Sequence, residues 1–288
     1  MNVPQRIVVG LDLDPKGCIP TQGSTAAAET ALWLARTTSA HVTLLHSVAR
    51  DEYYDPVTSE LVPVCDTLTP QARLAVAEII ARFRKENAQC ETIDSAERPS
   101  LALTREVQRQ HAQLVILGKH DGRESDATRI GPIAMRVLRE CPTPVWVVVP
   151  GRATIPKRIL AATDLTQVGD EAVRWAAAIA DVARAELHVV HIHPPTLHSR
   201  RADSDSHLRK LRETAVAGLS PQQREKAQVH VREAAPAQGL LTMVEELDSD
   251  LVVLGAFSHP RNPPHQVGTT AERLFARLET SVFVVKPN

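Results

Sequence analysis

A chain of 288 residues is long enough for two domains of ordinary size, about 100–150 residues each. Hydrophobic residues make up 43% of it but aromatics only 3%, so any core must be built from Ala, Val, Leu and Ile. That composition suits a helix-covered parallel sheet better than an all-β sandwich, and a net charge of -1 with both halves nearly balanced argues against nucleic acid as a partner.

The first element in chain order is an apolar run, Ile7-Val8-Val9-Gly10-Leu11, closed by Asp12. A longer loop near Pro15 follows, and then a helix pattern over 26–36, with Ser24 and Thr25 as cap-type residues before it. The second strand pattern covers 41–46, the fourth 113–118 and the last 145–150. After Pro150-Gly151, which reads as a linker, the same series begins again. Ile159-Leu160-Ala161-Ala162-Thr163 is closed by Asp164, and a helix pattern over 171–184 follows Asp170. Strand patterns then fall at 187–192, 250–255 and 282–287, the first of them carrying a late histidine, as its counterpart at 41–46 does. One interval separates Gly118 from Gly255 and Pro150 from Pro287, so the phasing is exact from the fourth strand onward.

β-branched runs alternating with helices imply βαβ crossovers and a parallel sheet covered on both faces. Two domains are therefore expected, 1–150 and 151–288, each with about five strands and four helices. The chain has no stretch of the ~18–20 apolar residues that span a membrane, and residues 6–12 read as a strand with no basic-then-apolar signal segment before them. The expectation is a cytoplasmic protein without membrane insertion. Cys18, Cys65, Cys90 and Cys141 form no C-x-x-C pair, which points to ordinary reduced thiols. Cys141 lacks an evident neighbouring base, so it reads as a small packed residue. His191 and His193 share one strand face, with His188 on the other and His198 further on, but no HExxH accompanies them and no metal is assigned. A P-loop and a G-x-S-x-G elbow are both lacking.

In open α/β sheets ligands sit beyond the carboxyl ends of the strands, where strand order reverses. That singles out Asp164, Ile192, His193 and Gly255 in the second half. Beyond Gly255 the spacing is Gly255-x2-Ser258-x9-Gly268-Thr269, followed by Thr270. A glycine allows close backbone approach, and a helix start with flanking hydroxyls favours an anion. These residues resemble the G-x2-G-x9-G-(S/T) phosphate pattern of the universal stress protein family. The resemblance covers nearly the whole chain in duplicate. It is strongest to the E-type tandem members, through Arg139-Glu140-Cys141-Pro142-Thr143-Pro144-Val145-Trp146 and Gly268-Thr269-Thr270-Ala271-Glu272.

The resemblance implies an α/β fold with, in each domain, a five-stranded parallel sheet of order 3-2-1-4-5 and helices on both faces. It also implies antiparallel pairing of the two last strands into an internal pseudo-dimer, with a further homodimer open. ATP or a related adenine nucleotide, with Mg²⁺ accompanying it, would be held by Asp164, the backbone of Ile192, and Gly255. Its phosphates would fall on Ser258, Gly268, Thr269 and Thr270. Ser258 replaces the pattern's second glycine, and three prolines stiffen the loop that carries Arg261. In the first half the same phasing gives Gly118-x2-Asp121-x9-Gly131-Pro132, a carboxylate and a proline where a phosphate site needs neither. The reading is a stress-response binding protein with its nucleotide in the second half. Its alternative is a nucleotide-independent binder of a lipid-like or other apolar ligand, and a weak ATPase ranks last for want of a general base.

Overall fold

The structure is a computed structural model that describes residues 3–14, 17–47, 53–55, 60–62, 68–119, 130–195, 201–216, 219–256 and 269–287. In the first half β1 (Arg6–Leu11), fully buried at Ile7, Val8 and Val9, passes through α1 (Gln22–Thr38) to a parallel β2 (His41–Ser47), with Ile7 opposite Val42. A hairpin of β3 (Tyr53–Asp55) and β4 (Glu60–Val62) stands apart from the main sheet. Then α2 (Pro70–Lys85) leads to β5 (Cys90–Ser95), α3 (Pro99–Gln110) to β6 (Leu114–Gly118), and α4 (Pro132–Glu140) to β7 (Val145–Val148).

The second half repeats the plan. β8 (Arg158–Ala162) is followed by α5 (Gln167–Ala183) and β9 (Glu186–His193). α6 (Arg201–Leu211) runs into a π-helical turn at Arg212–Val216, and α7 (Pro221–Lys226) precedes β10 (Gln228–Glu233). α8 (Pro236–Glu246), β11 (Leu251–Gly255), α9 (Thr269–Phe275) and β12 (Ser281–Val285) complete the chain.

All the strands except the hairpin join one ten-stranded sheet, in the order β10-β9-β8-β11-β12-β7-β6-β1-β2-β5. Counted within each half, that order is 3-2-1-4-5. Every neighbouring pair is parallel except β7 and β12, which run antiparallel with Trp146 opposite Phe283. Two apolar layers cover the sheet, and each extends across both halves. One holds the apolar faces of α1, α2 and α5, and the other those of α3, α4, α8 and α9. Trp33 of α1, Trp146, Phe283 and Trp175 of α5 form an aromatic chain across the join, with successive centroids 6.4, 5.7 and 5.2 Å apart. Edge and tilted contacts of this kind add to the burial of each ring.

The helix starts differ from the sequence reading, and by the same amount in both halves. α1 begins at Gln22, not Ala26, and α5 at Gln167, not Glu171. The caps are Thr21 and Thr166, whose side chains accept from the backbone N–H groups of Ser24 and Gly169. Glycine in a first turn looks like a reason to start the helix later, but here it is what lets the turn sit on the strand ends. A Cβ on Gly23 would stand 2.2 Å from the carbonyl oxygen of Lys119, and one on Gly169 2.5 Å from Thr163 Oγ1.

Candidate functional site

In the second half the strand order reverses between β8 and β11, so Asp164 and Gly255 stand on the two sides of one crevice. Asp164 is exposed, and its Oδ1 accepts from the Thr166 backbone N–H at 3.1 Å and from Thr166 Oγ1 at 2.5 Å. It therefore helps to fix the cap of α5. Leu165, between them, has a positive φ of 63°, a conformation held by its N–H donating to Thr163 Oγ1. Gly255 lies under α5, where a Cβ would meet Val168 Cγ1 at 2.9 Å. Ile192 sits in β9 opposite Arg232, and its side chain packs on Gly239 of α8. Of the phosphate-type residues, α9 opens with Thr269 and Thr270, while Ser258, Gly268 and Arg261 lie outside the described residues.

The first half contains a cavity of about 430 Å³ at the corresponding place, beyond the carboxyl ends of β1 and β6. Among the described residues its wall includes Leu11, Leu45, Leu103, Leu117, Ile133 and Ala134, with Asp12, Thr21, Ser24 and Ser47 as polar side chains. Small residues create the space. A Cβ on Gly10 would come 2.6 Å from Leu117 Cδ2, and Gly118 lies against Gly23 so closely that a Cβ there would stand 2.0 Å from the Gly23 carbonyl carbon. Register fixes the counterparts, because Gly10 pairs with Leu45 and Ala162 with Val190. The second half thus has Ala162 in place of Gly10 and Ile192 in place of Ser47, a larger side chain at both positions. Sequence reasoning passed over Gly10 and Ser47, although comparison of the two repeats carried the signal. Asp121 lies outside the described residues; Pro132 opens α4, whose cap residue Gly131 gives it no side-chain hydrogen bond.

Histidines group in two places on the outer strands of the second half. His191, His193 and His207 of α6 lie together on one face, with ring centroids 4.5–6.3 Å apart. His191 Nδ1 is 2.9 Å from the Thr163 carbonyl, so it carries the proton and donates. On the other face the rings of His188 and His230 stack, with Nδ1 and Nε2 3.1 Å apart. Burial is the main cause that pushes His188, His191 and His230 below the usual histidine range. No group of three or more His, Cys, Asp or Glu among the described residues is arranged to hold a metal ion, and His198 lies outside them. Cys141 is buried at the C-cap of α4, and burial pushes its thiol up. Cys90 is pushed up to about 12 by burial and then by Glu91. Both are poor nucleophiles by this measure. No helix among the described residues is long and apolar enough to cross a membrane.

Fold and site together define a tandem α/β protein with its two strand-order crevices at corresponding places in one sheet. The sequence profile of the universal stress protein family matches residues 4–149 and again 156–286. The chain belongs to the universal stress protein family, as a tandem member. It is similar to the universal stress protein E homolog of Haemophilus influenzae, 24% identical over 204 residues, and to universal stress protein E of Escherichia coli K12, 23% identical over 208 residues. These matches cover 65–66% of the chain and 66% of each relative's length. Among solved structures, a functionally unknown protein from Pseudomonas aeruginosa PAO1 superposes with a TM-score of 0.74 at 21% identity, covering 99% of this chain and 93% of that one. A universal stress protein from Archaeoglobus fulgidus gives 0.73 at 18% identity, with 99% of both chains covered. These likenesses concern the fold.

Proposed function

We propose that the protein is a stress-response binding protein that takes up an adenine nucleotide in its second half. Family membership supports the stress-response role. The observation that supports the nucleotide reading is the place of Asp164 and Gly255 at the carboxyl ends of the neighbouring strands β8 and β11, where strand order reverses. In this reading Asp164 and the backbone of Ile192 hold the nucleoside, and Gly255 lets it approach the chain closely. Ser258, Gly268, Thr269 and Thr270 hold the phosphates, with Mg²⁺ accompanying them.

The test is thermal unfolding with ATP, ADP and AMP. ATP raises the melting temperature of the wild type and leaves that of Gly268→Glu unchanged, since a carboxylate in the phosphate loop repels the anion. Stabilisation by about 2.7 kcal/mol is expected when the free nucleotide reaches a hundred times its dissociation constant. A wild type that none of the three nucleotides shifts removes the reading.

A further inference from the structure

Resting on the nucleotide reading above, in which Asp164 holds the nucleoside, we propose that His191 is a positioning residue for Asp164. Its stack with His193 and His207 then makes nucleotide uptake in the second half depend on pH. β8 stops at Ala162, opposite Val190, so the Thr163 carbonyl lies beyond the paired register with β9. The His191 ring, 2.9 Å away, donates to that carbonyl. The Thr163 N–H donates to the Val190 carbonyl, and Thr163 Oγ1 accepts from the N–H of Leu165, the residue of positive φ. Asp164 is thus set between two residues whose peptide groups are fixed, and the imidazole holds one of them.

The first half uses its matching histidine differently. Register makes His46 the counterpart of His191, but Asp94 stands opposite His46 on β5, where Val231 stands opposite His191 on β10. His191 has imidazole neighbours. Its ring centroid is 6.3 Å from that of His193 and 5.1 Å from that of His207, and those two are 4.5 Å apart. Protons on neighbouring rings repel at such distances. Burial, with His207 and His193 adding to it, holds His191 below the usual histidine range against the pull of the Thr163 carbonyl and Asp164. Further charged groups about the stack are Asp170 of α5, Arg174 of α5 with its partner Glu171, Lys210 of α6, and Glu233, which registers with His193. Arg212 and Glu213, just beyond α6, are exposed. α6 itself is lightly held. Of its described side chains Leu211 alone is fully buried, and His207 Nδ1 is enclosed without a hydrogen-bond partner among the described residues. Acid therefore favours a state in which α6 leaves β9, the rings take up protons and the Thr163–Asp164 turn loosens.

The full chain is titrated by calorimetry with ATP and Mg²⁺ at pH 7.5 and 5.5; ATP's own titration is common to every protein compared and cancels. Between these pH values the wild type is expected to lose about tenfold more affinity than His207→Phe, which keeps a ring in the stack but takes no proton. At pH 7.5 His207→Phe binds as the wild type does, and His191→Leu, which lacks the donor, binds about tenfold more weakly. His191→Asn keeps the donor without the second ring nitrogen, so it binds like the wild type at pH 7.5 and shows the smaller loss of His207→Phe. Three results overturn the proposal and leave the nucleotide reading standing: equal losses in wild type and His207→Phe, a His191→Leu that binds like the wild type at pH 7.5, or a His191→Asn as weak as His191→Leu. A wild type that binds no ATP at pH 7.5 overturns both. Should a variant not fold, hydrogen exchange of the wild type decides. The amides of α6 lose protection relative to those of β9 between pH 7.5 and 5.5 and regain it with ATP, and unchanged relative protection overturns the proposal.

Discussion

At the scale of single residues, Gly118 and Gly255 occupy matching places and are required for different reasons. Gly255 faces a side-chain methyl of Val168, whereas Gly118 faces the backbone of Gly23, which cannot rotate away. Gly118→Ala is therefore expected to destabilise the protein by about 3 kcal/mol, at the upper end of ordinary overpacking, because a strand end and a helix start must separate. The urea midpoint reads this, and a midpoint within error of wild type would show that α1 yields easily. The positions Asp164, Ile192 and Gly255 were legible in the sequence because each ends an apolar run. Gly10 and Ser47 were not, because what matters there is the space above them.

At the scale of elements, β9, β10 and α6 form a layer rich in histidine. His46, His188, His191 and His230 all have folded values held below 6.5, with burial the largest cause in each. In the unfolded chain they accept protons near 6.5, while in the fold they resist doing so. The neutral state's contribution to stability is therefore complete above pH 6.5 and is lost as the pH falls from there through the folded values. The urea midpoint should fall between pH 7.5 and 5.5. His191→Asn, which can still donate to the Thr163 carbonyl, should reduce that fall. An equal fall in the variant would place the effect on other histidines.

Some elements of the sheet were hard to read in the sequence. β5 (Cys-Glu-Thr-Ile-Asp-Ser) and β10 (Gln-Val-His-Val-Arg-Glu) are edge strands with mixed, half-exposed faces, so they lack the apolar runs that mark the central strands. The helix starts were misread by one turn for a related reason. Their glycines serve tertiary contact rather than helix propensity.

At the scale of the whole molecule, the two halves share one sheet and both of its apolar coverings. Side chains tie the join in both directions. Lys119 Nζ donates to the Leu278 carbonyl, and Lys286 Nζ to that of Leu138. Burial lowers the Lys286 ammonium to about 8, a cost that the join supports at neutral pH. Phe283 is central, fully buried between Trp146 and Trp175. Phe283→Ala is expected to cost about 3–5 kcal/mol and to split one calorimetric unfolding transition into two, as each half loses its hold on the other. A single transition at the wild-type temperature would show that the join carries little of the stability.

The sequence by itself determined the duplication, the α/β class, the central strands and the residues that end them. It could do so because burial on both faces writes β-branched runs that any reader of periodicity finds. Only the tertiary structure decided where space is left. Two repeats in the same phase differ at Gly10 and Ala162, and at Ser47 and Ile192. Those few side-chain carbons acquire meaning when strand register brings them to one crevice.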